Sequence, residues 1–181
     1  NTLNTKKSPK HKHINEILKR LGQTNSAHRV YIFESHIDGK ETFVNQTYEW
    51  VSEGIKPELD NPDLQNVPFS EGFTRWYTSF LEDEPILGEI EDFPSNEQPI
   101  LEEQDIVTLL AVPININGQF VGFVGFDNCE KKIEWDEQIV QMLFRIAKYL
   151  GLFIKKDASE KKTDLLLNSL LKSKELSDWQ I

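Results

Sequence analysis

Ile106-Val107-Thr108-Leu109-Leu110-Ala111-Val112-Pro113-Ile114, then Asn115-Ile116-Asn117-Gly118, then Phe120-Val121-Gly122-Phe123-Val124-Gly125-Phe126 is the stretch that decides the fold. Two apolar runs of strand length flank an Asn-Gly pair, whose residues accept the positive φ values of a tight hairpin turn, so the stretch reads as a central β-hairpin. Gly122 and Gly125 lie three apart in the second strand, where missing side chains permit close approach of a helix or ligand, and helix packing is the expected use. Pro113 lacks a backbone donor, which suits an edge or bulge position.

Downstream, Trp135, Ile139, Met142, Leu143, Ile146, Leu150 and Ile154 recur every three to four residues, the stripe of a long amphipathic helix that packs on the sheet. Trp135 opens it, with Asp136 and Glu137 placed well against the positive end of the helix dipole. Polar residues follow from Lys155 to Lys162, and Leu165 to Leu176 resumes a leucine-rich helical pattern. Upstream, Ile14, Ile17, Leu18 and Leu21 form the stripe of a first helix that ends near Gly22. Val30 to Phe33 and Thr42 to Val51 read as antiparallel strands joined at Asp38-Gly39. In the second, strict alternation puts Val44, Gln46, Tyr48 and Trp50 on one face and Phe43, Asn45, Thr47, Glu49 and Val51 on the other. Pro57 to Pro68 has three prolines and no period, so it is an irregular excursion with one helical turn at most. Phe73, Trp76, Tyr77 and Phe80 then predict a short helix with Ser70 as its cap. Pro85 to Ile90 fits a short edge strand, and Pro99 to Gln104 a further short helix.

The formal charge of -10 is unevenly spread. Residues 1–22 hold six Lys/Arg against Glu16 alone, whereas residues 58–105 hold fourteen acids and only Arg75 as a base. That field repels phosphate backbones, so nucleic-acid binding by the domain body is not expected. The acidic run reads as a solvated surface, the alternative being a cation site or basic partner. No apolar run reaches the length of a membrane span and the start lacks the apolar core of a signal peptide, so no membrane contact or export is expected. The single cysteine, Cys129, rules out an internal disulfide and a multi-cysteine zinc site, and reads as an inert thiol. The four histidines form no HExxH, and neither GxSxG nor a Walker loop occurs, so no catalytic residue and no metal ligand is assigned.

The chain resembles a GAF domain. The resemblance rests on LeuLeuAlaValProIle (109–114), the Asn-Gly turn, GlyPheValGlyPheAspAsn (122–128) and Trp135, with ArgValTyrIlePheGlu (29–34) and TyrGluTrpValSerGluGly (48–54) similar to the first two strands of bacterial sensory members. It implies an α+β, GAF/PAS-like fold: a central antiparallel sheet of five or six strands, N- and C-terminal helices on one face, and short helices and loops over the other. The implied organisation is a flexible basic start (1–13), the domain (14–155) and a linker or signalling helix (156–181). It further implies a cytoplasmic sensor in a larger signal-transduction protein, a histidine kinase or a nucleotide cyclase, that binds a small molecule and relays the event through its terminal helices. Relatives that bind cyclic nucleotides carry Asn-Lys and Phe-x3-Asp-Glu; this chain has no Asn-Lys, and Phe80-Leu81-Glu82-Asp83-Glu84 is one residue short, so no cofactor is assigned. Trp50, Phe69, Phe73, Trp76 and Tyr77 are the candidate pocket lining, because aromatics beside the excursion would clamp a flat or apolar ligand; the competing reading is plain core. The alternative function is a ligand-free homodimerisation and relay module, pairing Ile14/Ile17/Leu18/Leu21 and Leu165/Leu166/Leu170/Leu176 between subunits.

Overall fold

Asn117 and Gly118 both take positive φ, 51° and 75°, the backbone of a type I′ turn, and join β5 (Thr108–Ile116) to β6 (Gln119–Asn128). The structure, a computed structural model, describes residues 9–178. Around this hairpin, β1 (Arg29–Asp38), β2 (Glu41–Val51), β3 (Val67–Pro68) and β4 (Ile86–Glu89) complete a six-stranded antiparallel sheet in the order β3-β2-β1-β6-β5-β4. The short β4 sits at the sheet edge, as its leading proline requires. Pro113 lies just beyond the reach of β4, which pairs with β5 only as far as Ala111, so its missing N–H leaves no gap in that ladder.

Parity along the central strands splits the core in two. Val30, Ile32, Leu110, Val112 and Val124 pack against α1 (Pro9–Thr24) and the first half of α4 (Glu137–Asp178), which contribute Ile14 and Leu18, and Leu143, Ala147 and Leu150. Tyr31, Phe33, Leu109, Ala111 and Phe123 face the opposite way, under α2 (Thr74–Leu81), α3 (Gln98–Glu102) and the 3-10 turns Pro62–Leu64 and Ile90–Asp92. The expected α+β arrangement is therefore met, and each fully buried Leu, Ile or Val adds about 1.5–3 kcal/mol of hydrophobic stabilisation.

Five local expectations are corrected. Strict alternation fails in β2, because Tyr48 pairs with Ile32 while Gln46 pairs with Phe33, leaving Thr47 as the extra residue of a β-bulge. The bulge turns Tyr48 and Trp50 toward α1, whereas Val44 faces α2. The α1 stripe is not free to pair with a second copy, since Ile14, Leu18 and Leu21 are buried in the chain's own core. Helix α2 starts after Phe73 rather than at Ser70, whose hydroxyl binds Glu41. Trp135 precedes α4, and Asp136 caps it by accepting a hydrogen bond from the Ile139 amide at 2.9 Å. The two glycines of β6 do not receive a helix: a Cβ at Gly122 would lie 2.0 Å from the Phe33 carbonyl oxygen, and the space above Gly125 holds the Tyr31 ring.

The expected flexible basic start falls partly outside the described residues, and α1 already runs from Pro9. At the other end, α4 continues for 42 residues without a break through the polar segment, about 63 Å at 1.5 Å per residue. Every residue from Ala158 to Ser169 is exposed. Among the described residues no helix is long and apolar enough to cross a membrane.

The α1–β2 contact is tight enough to test. A Cβ at Gly22 would come within 2.0 Å of the Trp50 ring, so Gly22→Ala is expected to destabilise by about 1–3 kcal/mol in spite of alanine's better helix propensity. In urea unfolding the added substitution Trp50→Leu should recover part of that loss; strictly additive effects would contradict the contact.

Candidate functional site

The lid face of the sheet is aromatic because three strands present their odd residues there. Phe33 of β1 stacks on Phe123 of β6 with centroids 4.6 Å apart and planes at 8°. Trp76 and Phe80, one turn apart on α2, lie on this pair: Trp76 meets Phe123 edge-on at 6.0 Å and Phe80 meets it at 5.1 Å. Between this layer and the segments around Leu64, Phe69 and Leu101 lies a cavity of about 60 Å³, also bordered by Tyr31, Phe33, Val44, Phe73, Trp76, Gln104 and Phe123. Pockets that hold drug-sized ligands span roughly 300–1,000 Å³, so the cavity is nearly closed as it stands.

Two buried polar clamps fasten the lid. In the first, Glu97, 1% exposed, accepts hydrogen bonds from Arg75 Nε at 2.9 Å, Arg75 Nη2 at 2.6 Å and the Trp76 indole N–H at 2.9 Å. The Arg75 guanidinium also lies over the Phe93 ring at 5.2 Å. One carboxylate on the segment before α3 thus fixes two neighbouring residues of α2.

The second clamp is Arg29, also 1% exposed, at the start of β1. Its Nε donates to the Lys56 carbonyl at 2.9 Å, and its Nη1 donates to the Gln104 carbonyl at 2.9 Å and to Asp127 Oδ2 at 3.3 Å. Glu58, equally inaccessible, lies 3.8 Å from its Nη2. Glu49 completes the anchorage of the excursion by accepting hydrogen bonds from the Glu58 and Leu59 amides. The Lys56 ammonium also lies 3.6 Å from Glu58, so three carboxylates stand against two cations, of which only the Arg29 guanidinium is buried. Burial pushes the Asp127 carboxyl up to about 7 against the pull of Arg29, and raises Glu49 as well. Among the described residues no group of three or more metal-ligating side chains converges.

This geometry can be set beside known proteins. A family model for the GAF domain matches residues 11–154. The chain belongs to the GAF domain family. This GAF domain is 33% identical over 138 residues to the Methanogenesis regulatory histidine kinase FilI of Methanothrix harundinacea (strain 6Ac); the match covers 76% of this chain and 16% of that protein. Among solved structures, GAF3 from Slr1393 of Synechocystis sp. PCC6803 in its photoproduct state is similar with a TM-score of 0.68 at 18% identity, covering 84% of this chain and 98% of that one. The far-red absorbing dark state of JSC1_58120g3, with bound biliverdin IXa, is similar with a TM-score of 0.63 at 18% identity, covering 77% and 85%. At that identity the solved structures share the fold.

Of the five aromatic residues singled out in the sequence, the GAF fold brings Phe69, Phe73 and Trp76 together on the cavity wall. Tyr77 stands behind it, stacked on Phe69 at 5.0 Å with its hydroxyl accepting from Thr42 Oγ1 at 3.2 Å. Trp50 is on the other side of the sheet, carried there by the β2 bulge. Cys129 does not border the cavity, and burial pushes its thiol up to about 12, which leaves it a poor nucleophile. The residues that sequence reasoning missed are Arg29, Glu97, Gln104 and Asp127. Arg29 and Asp127 did carry a signal: each is a charge at the end of an otherwise apolar strand, and the two pair directly across β1 and β6.

Asp127 gives a pH dependence with a definite sign. Its folded-state value lies above the ordinary 3.8, so this contribution to stability is complete below about pH 4 and is lost as the pH rises to about 7. Asp127→Asn mimics the protonated carboxyl; thermal melts at pH 5 and pH 8 should show the variant gaining on the wild type by a few degrees at the higher pH. Parallel behaviour of the two proteins would contradict the assignment.

Proposed function

We propose that this GAF domain is the sensory module of a signal-transduction protein, in which a small molecule occupies the cavity walled by Phe69, Phe73 and Trp76 and the event is relayed through the terminal helices to an effector, a histidine kinase. The observation that carries the reading is the placement of an aromatic-lined cavity under a separately clamped lid, on the sheet face opposite α1 and α4. The similarity to a regulatory histidine kinase supports the choice of effector, and the biliverdin bound by one solved neighbour is a precedent for a ligand in this fold. A cytoplasmic location accords with that role.

A physical route joins the two faces. Leu109 and Ala111 of β5 support the lid-side core, while Leu110, Val112 and Ile114 of the same strand pack on the α4 side. Asn115 adds a polar tie, donating from Nδ2 to the Phe80 carbonyl at 2.9 Å and to Asp83 Oδ1 at 2.6 Å. A ligand that lifts α2 therefore pulls on the strand against which α4 rests. Such a ligand can shift the helix only by its differential affinity for the two lid positions.

The second reading is a homodimerising relay that needs no ligand. It is favoured by the small cavity and by apolar side chains left exposed on α4, Leu152 at 59% and Leu165 at 71% among them. Helix α1 has its stripe buried, so pairing would use α4; of the leucines expected to pair, Leu170 and Leu176 lie outside the described side chains. Native mass spectrometry of the purified chain separates the two. The sensory reading expects a small molecule retained under gentle conditions, released on denaturation, and diminished in Phe73→Ala. A dimer with no added mass would transfer the weight to the relay.

A further inference from the structure

We infer that the cavity is built for a small uncharged ligand bearing one O–H or N–H group, which the Tyr31 hydroxyl and the Gln104 carboxamide oxygen receive. This rests on the sensory reading above and assigns the chemistry of the ligand.

The polar side-chain atoms of the wall are few, and two of them are already engaged. Trp76 gives its indole N–H to Glu97. Gln104, 8% exposed, donates its amide nitrogen to the Ile100 carbonyl at 2.8 Å, which orients the carboxamide and leaves Oε1 without a partner among the described residues. Tyr31, 7% exposed, borders the same cavity, and its hydroxyl has no hydrogen-bond partner among the described residues. Its ring is held in place by the missing side chain of Gly125, where a Cβ would lie 2.6 Å from the ring. Burial keeps the phenol protonated, so it can donate and accept. The Tyr31 hydroxyl and the Gln104 carboxamide oxygen thus lack a protein partner among the described residues, and a ligand with a donor group would supply one.

Charge argues against an anion. Among the described residues no basic side chain borders the cavity. The buried Arg29 guanidinium, whose Nη1 holds the Gln104 carbonyl, is already committed to two carbonyls and to Asp127. Around it stand Glu49, Glu58 and Asp127, so a carboxylate or phosphate would be desolvated beside like charges. A cation would equally lose its hydration, because no acidic side chain among the described residues is on the wall.

Size and access set the rest. An apolar cavity of about 150 Å³ admits benzene, so a single ring needs roughly 90 Å³ beyond the 60 Å³ present. Val67, Phe73 and Ile100 are the cavity-wall residues left partly exposed, which marks the mouth, and rotation of Phe73 outward supplies space without unfolding the sheet.

The test is an NMR titration of the isotope-labelled chain with phenol, toluene, benzoate and benzylamine, following the Trp76 indole N–H, assigned by Trp76→Phe. Phenol is expected to bind at least about tenfold more tightly than benzoate or benzylamine, and several-fold more tightly than toluene. Tyr31→Phe and Gln104→Leu, each checked for an unchanged fold by the remaining indole signals, should bring the phenol-to-toluene ratio close to one. Benzoate or benzylamine binding as tightly as phenol, or a ratio that survives both substitutions, would overturn the assignment of ligand chemistry. Failure of all four probes would overturn it too, while the sensory reading would still stand or fall on whether the purified chain retains a ligand of another class.

Discussion

Arg29 is the constraint on which the lid side of the molecule depends. A guanidinium buried to this degree must have its donors satisfied, and it finds its partners in three separate places: the excursion after β2 through Lys56 and Glu58, the chain just past α3 through Gln104, and the end of β6 through Asp127. Removing such a partner from a buried pair typically costs about 3–5 kcal/mol, because the other charge stays behind. The excursion carries little secondary structure of its own, yet its path is fixed at this point. The Glu97 clamp then sets α2 over the sheet, and the cavity is what remains between the two fastenings.

The two faces of the sheet differ in how they are held. On the helix side, aliphatic residues from α1, α4, β1, β5 and β6, with Tyr48 and Trp50 of β2, make a continuous close-packed core. The lid side is covered by short elements joined by loops, tied down by a few charged hydrogen bonds and by aromatic edge-to-face contacts, each worth about 0.5–1.5 kcal/mol. A layer attached by few strong points can detach as a unit more readily than one attached everywhere. Under the proposed sensory reading, that difference supplies a face that yields to a ligand, backed by a face rigid enough to carry the displacement to α4.

Much of this architecture was legible in the sequence because periodicity reports burial directly. The hairpin at Asn117-Gly118, the stripe of α4 and the first helix follow from spacing alone. The placement of Trp50 did not, because one extra residue at Thr47 reverses the parity of everything after it in β2, and a bulge has no compositional mark there. The aromatic wall was found through Phe69, Phe73 and Trp76, whose neighbours on the sheet, Phe33 and Phe123, lie more than 35 residues away in one direction or the other and meet them only through topology. The clamps were hidden for a related reason. Glu97 is one acid among fourteen in residues 58–105, and nothing in the sequence distinguishes it and Glu58, which are buried, from those that are solvated.

The central claim is that the lid opens as a unit while the opposite face stays intact, and hydrogen–deuterium exchange of the chain under native conditions tests it most directly. The account predicts that the amides of α2 and the Trp76 indole N–H exchange through a sub-global opening, well before the amides of β5, β6 and the first half of α4, which wait for global unfolding. Exchange of both faces at a single common rate would mean that the lid is an inseparable part of the core, and would contradict the account.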